Sequence, residues 1–271
     1  DLSRPTLSLA AAGLMVTAIS IFLVFRVGEA YSRWWEARTL WGGIVNGSRT
    51  FARQALSLVG SLPGSTDAPE REALQRELVY RQIAWCHALR ASLRRDPLPA
   101  ELDGLIGDEA RAGLAGFQSP ANRLMQIQSE RLVAAQQAGR LSDIELTLLD
   151  RSMAGLTDMQ GGCERIKNTA FPDHVVWISR TFAWLLATLL AIAILDKSNY
   201  FDWIDFVVVP MIMLSFIVTE RVGSELRNPF EGAPNDTPMT ALCRTIEIDL
   251  RQMLGETDVP PPLEPVDGVL L

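Results

Sequence analysis

The sequence has 271 residues, of which 48% are hydrophobic and 21% are charged, and its formal net charge is −7. This acidic balance argues against a nucleic-acid-binding protein, because such proteins concentrate basic residues on the face that meets the phosphates. Mean hydropathy is slightly positive, at +0.13, so part of the apolar content is expected to face something other than water.

The first predicted element is an apolar segment at residues 6–27, in which Arg26 is the only charged residue. A helix needs about 20 apolar residues to cross a bilayer, so this segment qualifies as a membrane span. It is not typical of a cleaved signal peptide, because the small residues precede the apolar run and Arg26 and Arg33 follow it.

A long region of helical pattern, residues 28–174, follows. Apolar and charged residues alternate in it at helical spacing, which predicts amphipathic helices packed in a bundle over residues 70–95, 120–137 and 142–167. Two stretches rich in proline, glycine and aspartate are predicted to be loops, at residues 61–69 and 96–104.

Two further apolar segments lie at residues 175–195 and 203–219. Arg180 interrupts the first of them, and Asp205 and Pro210 lie within the second. Membrane helices tolerate such interruptions where they pack on other helices or line a cavity. From periodicity alone, a soluble helical bundle with unusually apolar core helices is the open alternative.

The charges that flank the apolar segments predict an orientation. The loop at residues 196–202 holds one lysine and two aspartates, whereas the other flanks are basic: Arg26, Arg33, Arg38, Arg165, Lys167, Arg221 and Arg227. The positive-inside rule places this loop outside and most of the chain in the cytoplasm. Three spans would put the N-terminus outside, and because the sequence starts at Asp1 without methionine we expect a further span before it.

The C-terminal part is predicted to hold a turn-rich stretch, a short helix and an irregular tail. The short helix would present one apolar face, made of Leu242, Ile246, Leu250 and Met253. The prolines of residues 257–268 preclude a helix, so this tail is expected to be flexible or to wrap a neighbour.

No pattern indicates catalysis or a bound cofactor. The three cysteines, Cys86, Cys163 and Cys243, are far apart in sequence, and the two histidines form no metal-binding motif. We therefore expect reduced, buried thiols, no metal or cofactor, and a protein that is not an enzyme.

Three motifs, in order along the chain, resemble the bestrophin family, and its bacterial branch most closely. Residues 22–54 carry the run RWWEAR-x-x-WG after the first apolar segment. Residues 161–169 read GGCERIKNT, and residues 227–247 begin with RNPFEGAPNDTP. Several motifs in the expected order are more specific than any one of them.

The resemblance implies an all-α membrane protein that assembles as a homopentamer around a central pore, each subunit having four transmembrane helices and a helical cytosolic domain. The family's first transmembrane helix is not in this sequence. The expected division is a pore-lining helix, a cytosolic helical region, two transmembrane helices joined by an external loop, and a cytosolic C-terminal segment, at residues 1–27, 28–174, 175–219 and 220–271.

The resemblance also implies a function and a location. Bacterial members are described as cation channels that favour sodium and lack calcium activation, whereas animal members are calcium-activated chloride channels. We expect a passive channel in the bacterial inner membrane, multi-pass and mostly cytoplasmic. Its partners would be further copies of itself, lipid and monovalent ions, with no nucleic acid. The alternatives are an anion channel of the same architecture and a membrane scaffold that does not conduct.

The pore neck is carried over by counting back from Arg33, which places it on Thr17, Ile21 and Phe25. Their spacing puts them on one helix face. Rings of apolar side chains can dewet and block ions without a plug. The competing interpretation is that this face meets lipid or another helix. Thr17 departs from the apolar residue usual in the family.

A second constriction, at the cytosolic exit, is carried over less directly onto Asp143 and Ile144. The competing interpretation is an ordinary helix start, with Ser142 as N-cap and Asp143 in the first turn; both can hold together. The tryptophans of the first motif, Trp34, Trp35 and Trp41, are expected either in an interfacial belt or in packing contacts.

The loop after Asn228-Pro229-Phe230 corresponds to the calcium site of the calcium-gated members. Only Glu231, Asn235 and Asp236 remain as side-chain oxygen donors there. Calcium takes about six to eight oxygen ligands. We therefore expect no working calcium sensor.

Overall fold

The computed structural model describes residues 9–60, 68–169 and 203–270, together with residues 177–178, 181–182, 184–185 and 188. The described part of the chain contains no strand, and its one bridge joins Val266 and Val269. The chain forms two compact units. The first comprises Asp1–Trp35 and Ala170–Asn228, and the second comprises Glu36–Thr169 and Pro229–Leu271.

The first helix, α1 (Leu9–Leu58), contributes residues to both units. It has 50 residues, more than twice the length needed to span a bilayer, and continues far beyond the predicted apolar segment. No proline occurs between residues 28 and 58, and the chain leaves the helix only near Gly60, whose φ is 73°. One buried stripe of α1 follows helical spacing, at intervals of three, four or seven positions: Leu23, Arg26, Ala30, Ala37, Trp41, Ile44 and Ser48.

Five of the remaining helices form the second unit with the end of α1. They are α2 (Ala68–Arg94), α3 (Asp108–Ala112), α4 (Pro120–Gln137), α5 (Asp143–Asn168) and α7 (Met239–Met253), and a 3₁₀ turn, Ala100–Gly104, precedes α3. The helices predicted at residues 70–95, 120–137 and 142–167 are confirmed to within two residues. The predicted loop at residues 61–69 lies mostly outside the described residues.

Local signals explain where α4 and α5 begin. The Ser119 hydroxyl accepts a hydrogen bond from the Asn122 backbone amide, and Pro120 occupies the first turn of α4. At α5, the Ser142 hydroxyl accepts from the Glu145 amide at 3.3 Å, and the Glu145 carboxylate accepts from the Ser142 amide at 2.8 Å. This capping box satisfies two backbone donors that the helix leaves free.

The core of the second unit centres on α2, which packs on α4 and α7. Its largest fully buried side chains include Trp41, Phe51, Trp85 and Phe230. Some of its buried polar groups are paired with one another: the Trp85 indole N–H donates to Gln160 Oε1 at 3.1 Å, and Gln82 donates to the Ser48 hydroxyl at 3.0 Å. Pairing of this kind removes the cost of burying them.

The predicted face of the last helix is partly wrong. In α7 the buried residues are Met239, Ala241, Cys243, Ile246, Glu247 and Leu250, whereas Met253 is 39% exposed. Met253 lies at the helix end, where the chain turns at Gly255. The apolar pattern therefore continues one turn beyond Leu250, the last residue of α7 that is buried. The prolines of residues 257–268 exclude a helix as expected.

In the first unit, α6 (Trp203–Glu225) contains the third predicted span and packs against α1. A Cβ atom at Gly223 would lie 3.0 Å from Val27 Cγ2, so the two backbones approach closely there. Pro210 lies inside α6. The second predicted span, residues 175–195, lies largely outside the described residues.

Among the described residues, α1 from Gly13 onward is the one helix long and apolar enough to cross a membrane. Only 17% of its most apolar stretch is buried, whereas the core helix of a soluble protein would be mostly buried. This low burial favours a membrane span over the core helix of a soluble bundle. Helix α6 also exposes large apolar residues: Val207, Val208, Met211, Leu214, Ile217, Val218 and Val222.

Candidate functional site

The predicted neck residues lie on an exposed face of α1. Ile21 is 52% exposed and Phe25 is 71% exposed, whereas Leu23, between them in sequence, is 7% exposed. Thr17 is also exposed, and its hydroxyl donates to the Gly13 carbonyl at 2.9 Å. That bond gives the hydroxyl a partner within the helix, so Thr17 presents less polarity than its residue type suggests.

An exposed isoleucine and phenylalanine one turn apart need a cover other than water. Covering either side chain with lipid or protein would stabilise the molecule by about 1.5–3 kcal/mol. Repeated around a symmetry axis, the same face would form two stacked apolar rings, which is the chemistry of a hydrophobic constriction. The exposure of Ile21 and Phe25 agrees with a neck at these positions. The neck itself stays a prediction.

Behind this face lies an ion pair that the sequence reasoning did not identify. Arg26 follows Phe25 directly, is 5% exposed, and donates through Nη2 to Glu220 Oε1 of α6 at 3.3 Å. The signal was present in the sequence: Arg26 is the only charge in its apolar segment, and Glu220 directly follows the third segment. Nothing in the spacing of these residues linked them across 194 positions.

The predicted exit residues, Asp143 and Ile144, form the first turn of α5 in the second unit. Ile144 is 75% exposed, and the Asp143 carboxylate accepts a hydrogen bond from the Gln136 amide at 2.8 Å. The capping box at Ser142 shows that the helix-start interpretation is correct. The exit constriction stays a prediction that is compatible with this helix start, because Ile144 points away from the core.

The tryptophans of the first motif divide between the two interpretations. Trp41 is fully buried in the second unit, so packing explains it. Tyr31, Trp34 and Trp35 form an aromatic cluster, with ring centroids 5.6–6.5 Å apart, and Trp35 is 56% exposed. This cluster has the composition typical of a membrane interface.

The loop after Phe230 uses its carboxylates internally. Asp236 Oδ2 accepts hydrogen bonds from the backbone amides of Glu231, Gly232 and Ala233, at 2.7, 2.7 and 3.0 Å. Burial raises the pKa of Asp236, and these three amides oppose the rise. The carboxylate therefore acts as the clasp of a tight turn in which Gly232 has a φ of 84°.

The second carboxylate of this loop already has a cationic partner. Lys167, at the end of α5, places Nζ 2.9 Å from Glu231 Oε1, and its side chain is only 8% exposed. An ammonium group thus occupies the place that a bound cation would need. Among the described residues no group of three or more His, Cys, Asp or Glu side chains is arranged to hold a metal ion.

The thiols fit the expectation of reduced, buried cysteines. Cys86, Cys163 and Cys243 are free and buried. Burial raises the pKa of Cys86 and of Cys163 to about 12 and raises that of Cys243 as well. Thiols protonated at neutral pH are poor nucleophiles and metal ligands.

The sequence model of the family described as Bacterial/Fungal Bestrophin protein matches residues 2–252. The chain is 34% identical to the voltage-dependent anion channel-forming protein YneE of Salmonella typhi, over 93% of this chain and 79% of the relative. It is 33% identical to a voltage-dependent anion channel-forming protein of Mesorhizobium japonicum, over 94% and 77%.

Solved structures give the same likeness. A crystal structure of a bacterial bestrophin homologue from Klebsiella pneumoniae matches with a TM-score of 0.84 and 31% sequence identity, over 93% of this chain and 89% of that chain.

Proposed function

The chain belongs to the bacterial and fungal bestrophin family, and from this premise we propose that it is a subunit of a pentameric channel that passes monovalent cations, sodium in preference. Its membership makes it a membrane protein and an ion channel rather than an enzyme. The pentameric assembly, the preference for cations and the hydrophobic gate are the parts that we propose. The pore would be closed by a hydrophobic neck at Thr17, Ile21 and Phe25, with a second constriction at Asp143 and Ile144.

The observation that carries the proposal is the division of α1 into two faces. Leu23, Arg26 and Ala30 are buried within their own protomer, whereas Ile21 and Phe25 are exposed. A pore-lining helix has two such faces, because one side packs on its own subunit and the other faces the axis. A lipid-facing helix also exposes apolar residues, and Phe22 and Val24 are exposed beside Ile21 and Phe25, so conduction and not exposure separates the two interpretations.

The preference for cations is supported by charge. The Asp143 carboxylate is hydrogen-bonded to the neutral amide of Gln136 and has no cationic partner among the described residues. Five copies would form a negative ring at the exit, and such rings favour cations. The net charge of −7 per chain adds to the same field.

The second candidate function is an anion channel of the same architecture. It is favoured by the names of the relatives from Salmonella typhi and Mesorhizobium japonicum, which are called voltage-dependent anion channel-forming proteins. An apolar neck does not itself choose a sign of charge. The two candidates therefore differ in the charges outside the neck.

The proposed topology follows the predicted division. Residues 1–27 would cross the bacterial inner membrane as one helix, and residues 175–219 would cross it as two helices joined by an external loop. Residues 28–174 and 220–271 would lie in the cytoplasm. Neither calcium nor any other cofactor takes part in the proposed mechanism. The partners are four further copies of the chain, lipid and the permeating ions.

Reconstitution into liposomes tests the proposal. Purified protein should dissipate a sodium gradient across the liposome membrane. In detergent it should have the mass of a pentamer. Protein that is folded and pentameric but releases neither sodium nor chloride would indicate a scaffold, and a stable monomer would contradict the assembly. Release of chloride without sodium would favour the second candidate.

A further inference from the structure

We propose that the ion pair of Arg26 with Glu220 is the positioning device of the neck: it holds the rotation of α1 that turns Ile21 and Phe25 toward the pore. This inference rests on the proposed function, because it assigns a task within the proposed neck. Both residues belong to the first unit, and neither would contact the permeating ion.

The position of Arg26 is the first support. It follows Phe25 directly in α1, and a helix turns by about 100° per residue, so Arg26 points away from Phe25 and lies on the buried side of α1 with Leu23. Its side chain is 3% exposed and that of Glu220 is 12% exposed. A charge in such surroundings is expensive unless it is paired.

The surroundings of the pair are the second support. One turn further along α6, Gly223 allows close contact with Val27, because a Cβ atom there would lie 3.0 Å from Val27 Cγ2. The backbones of α1 and α6 are therefore in contact beside the ion pair. Arg26 Nη1 is buried without a hydrogen-bond partner among the described residues, so the fit to Glu220 carries much of the compensation for burying the guanidinium.

Rotation is the coordinate that this pair would control. Leu23 is buried next to the pair, whereas Ile21 and Phe25 are exposed. If the pair were lost, its ionic contribution to this rotation would be lost as well, and α1 would sample orientations in which Leu23 leaves its packing site. Because a closed apolar collar needs all five copies aligned, a population of misaligned helices would leave the neck more open.

Cysteine labelling reads rotation directly. The native cysteines are buried, so their background reactivity is low. In pentamers reconstituted in liposomes, Leu23→Cys should react slowly with a membrane-impermeant, water-soluble thiol reagent, and Ile21→Cys should react faster. Adding Glu220→Gln should raise the labelling rate of Leu23→Cys by about tenfold and raise sodium flux by a similar factor, since an unpaired buried charge is strongly disfavoured.

A charge swap and a matched control complete the design. Arg26→Glu with Glu220→Arg should return labelling and flux to within about twofold of the parent, because the pair is restored. Arg221→Gln removes a charge of the same helix that is 79% exposed and that pairs, among the described residues, with Glu225 of α6 at 3.0 Å, and it should change neither readout. If the Glu220→Gln variant does not assemble, the swap variant still tests the inference by the same two readouts.

Two outcomes would overturn the inference: labelling of Leu23→Cys that Glu220→Gln leaves unchanged in a folded pentamer, or a swap variant that stays as perturbed as the single variant. A parent protein without flux would instead contradict the proposed function, while the labelling rates would still report whether the pair sets the rotation of α1.

Discussion

Ile21 and Phe25 are the residues on which the proposed barrier depends. Shortening Ile21 to alanine widens the collar and removes apolar surface at five symmetric positions. Even about 0.3 kcal/mol per subunit would total about 1.5 kcal/mol, roughly tenfold in rate. We expect sodium flux to rise about tenfold in Ile21→Ala and in Phe25→Ala, measured in liposomes at equal protein content.

The control for this experiment follows from the burial of Leu23. From helical geometry alone, Leu23→Ala is expected to leave flux unaffected. The structure buries Leu23 within its own protomer, so alanine there would also leave a cavity, at a cost of about 2–5 kcal/mol. Leu23→Met, which conserves volume, is the better control. Increased flux in Leu23→Met with silent Ile21→Ala and Phe25→Ala variants would show that the register of the pore helix is wrong.

Calcium should not control conduction, because the side chains that would bind it are engaged. Asp236 holds three backbone amides and Glu231 faces Lys167 at 2.9 Å. Single-channel recordings before and after chelation with EGTA should show the same open probability. A steep dependence on micromolar calcium would mean that this loop rearranges to release its carboxylates.

Packing between α1 and α5 is the contact at the scale of elements that most depends on side-chain size. A Cβ atom at Gly47 would lie 2.8 Å from Leu156 Cδ2, and one at Gly43 would lie 2.7 Å from Met159 Sδ. Gly47→Val should therefore lower the free energy of unfolding by about 1–3 kcal/mol. Thermal unfolding of the detergent-solubilised protein measures the change.

Gly42 provides the matched control in the same helix. A Cβ atom there meets nothing within 4 Å, and alanine favours helix over glycine by about 0.5–1 kcal/mol. Gly42→Ala should keep or raise the unfolding temperature. Equal destabilisation by Gly42→Ala and Gly47→Val would show that the loss does not arise from the α1–α5 contact.

Helix positions follow from sequence wherever local signals mark their ends. Ser119-Pro120 and the Ser142–Glu145 capping box begin α4 and α5 within two residues of the predicted starts. The end of α1 was not predictable in this way, because the change from apolar to mixed composition near Val27 marks a change of surroundings and not a break in the helix. Burial of Trp41, likewise, depends on what packs against it.

Candidate site residues were predictable from sequence only where they lie close together along the chain. Spacing alone places Ile21 and Phe25 on one face, and that face is exposed. The pairing of Arg26 with Glu220, and of Lys167 with Glu231, joins distant segments. No local pattern encodes such contacts, because they depend on how helices are arranged in three dimensions.

At the scale of the whole molecule, the second unit should lose stability in acid. Burial favours the neutral form of Glu77, but hydrogen bonds and charges from Arg131 and Arg81 outweigh it, so the pKa of Glu77 lies below its ordinary value of 4.5. A carboxylate with a lowered folded-state pKa stabilises the fold above its unfolded pKa, and this contribution is lost as pH falls from about 4.5 through the lower folded-state value.

Replacement of Glu77 isolates this contribution from other titrating groups. Glu77→Gln leaves Arg81, which is 8% exposed, without its carboxylate partner and should cost about 1–3 kcal/mol at pH 7. Unfolding measured between pH 7 and pH 3.5 should show the difference between parent and variant shrinking in acid. A difference that is constant with pH would contradict the assigned ionisation.

Reversal potential under a salt gradient tests the central claim most directly. With NaCl tenfold more concentrated on one side of a planar bilayer, a cation-selective pore gives a reversal potential near the sodium equilibrium potential, about 58 mV in magnitude. We predict a reversal potential with the sign of the sodium equilibrium potential, and a reversal potential closer to zero in Asp143→Asn. A reversal potential of the opposite sign, near the chloride equilibrium potential, would contradict the account and establish the anion channel instead.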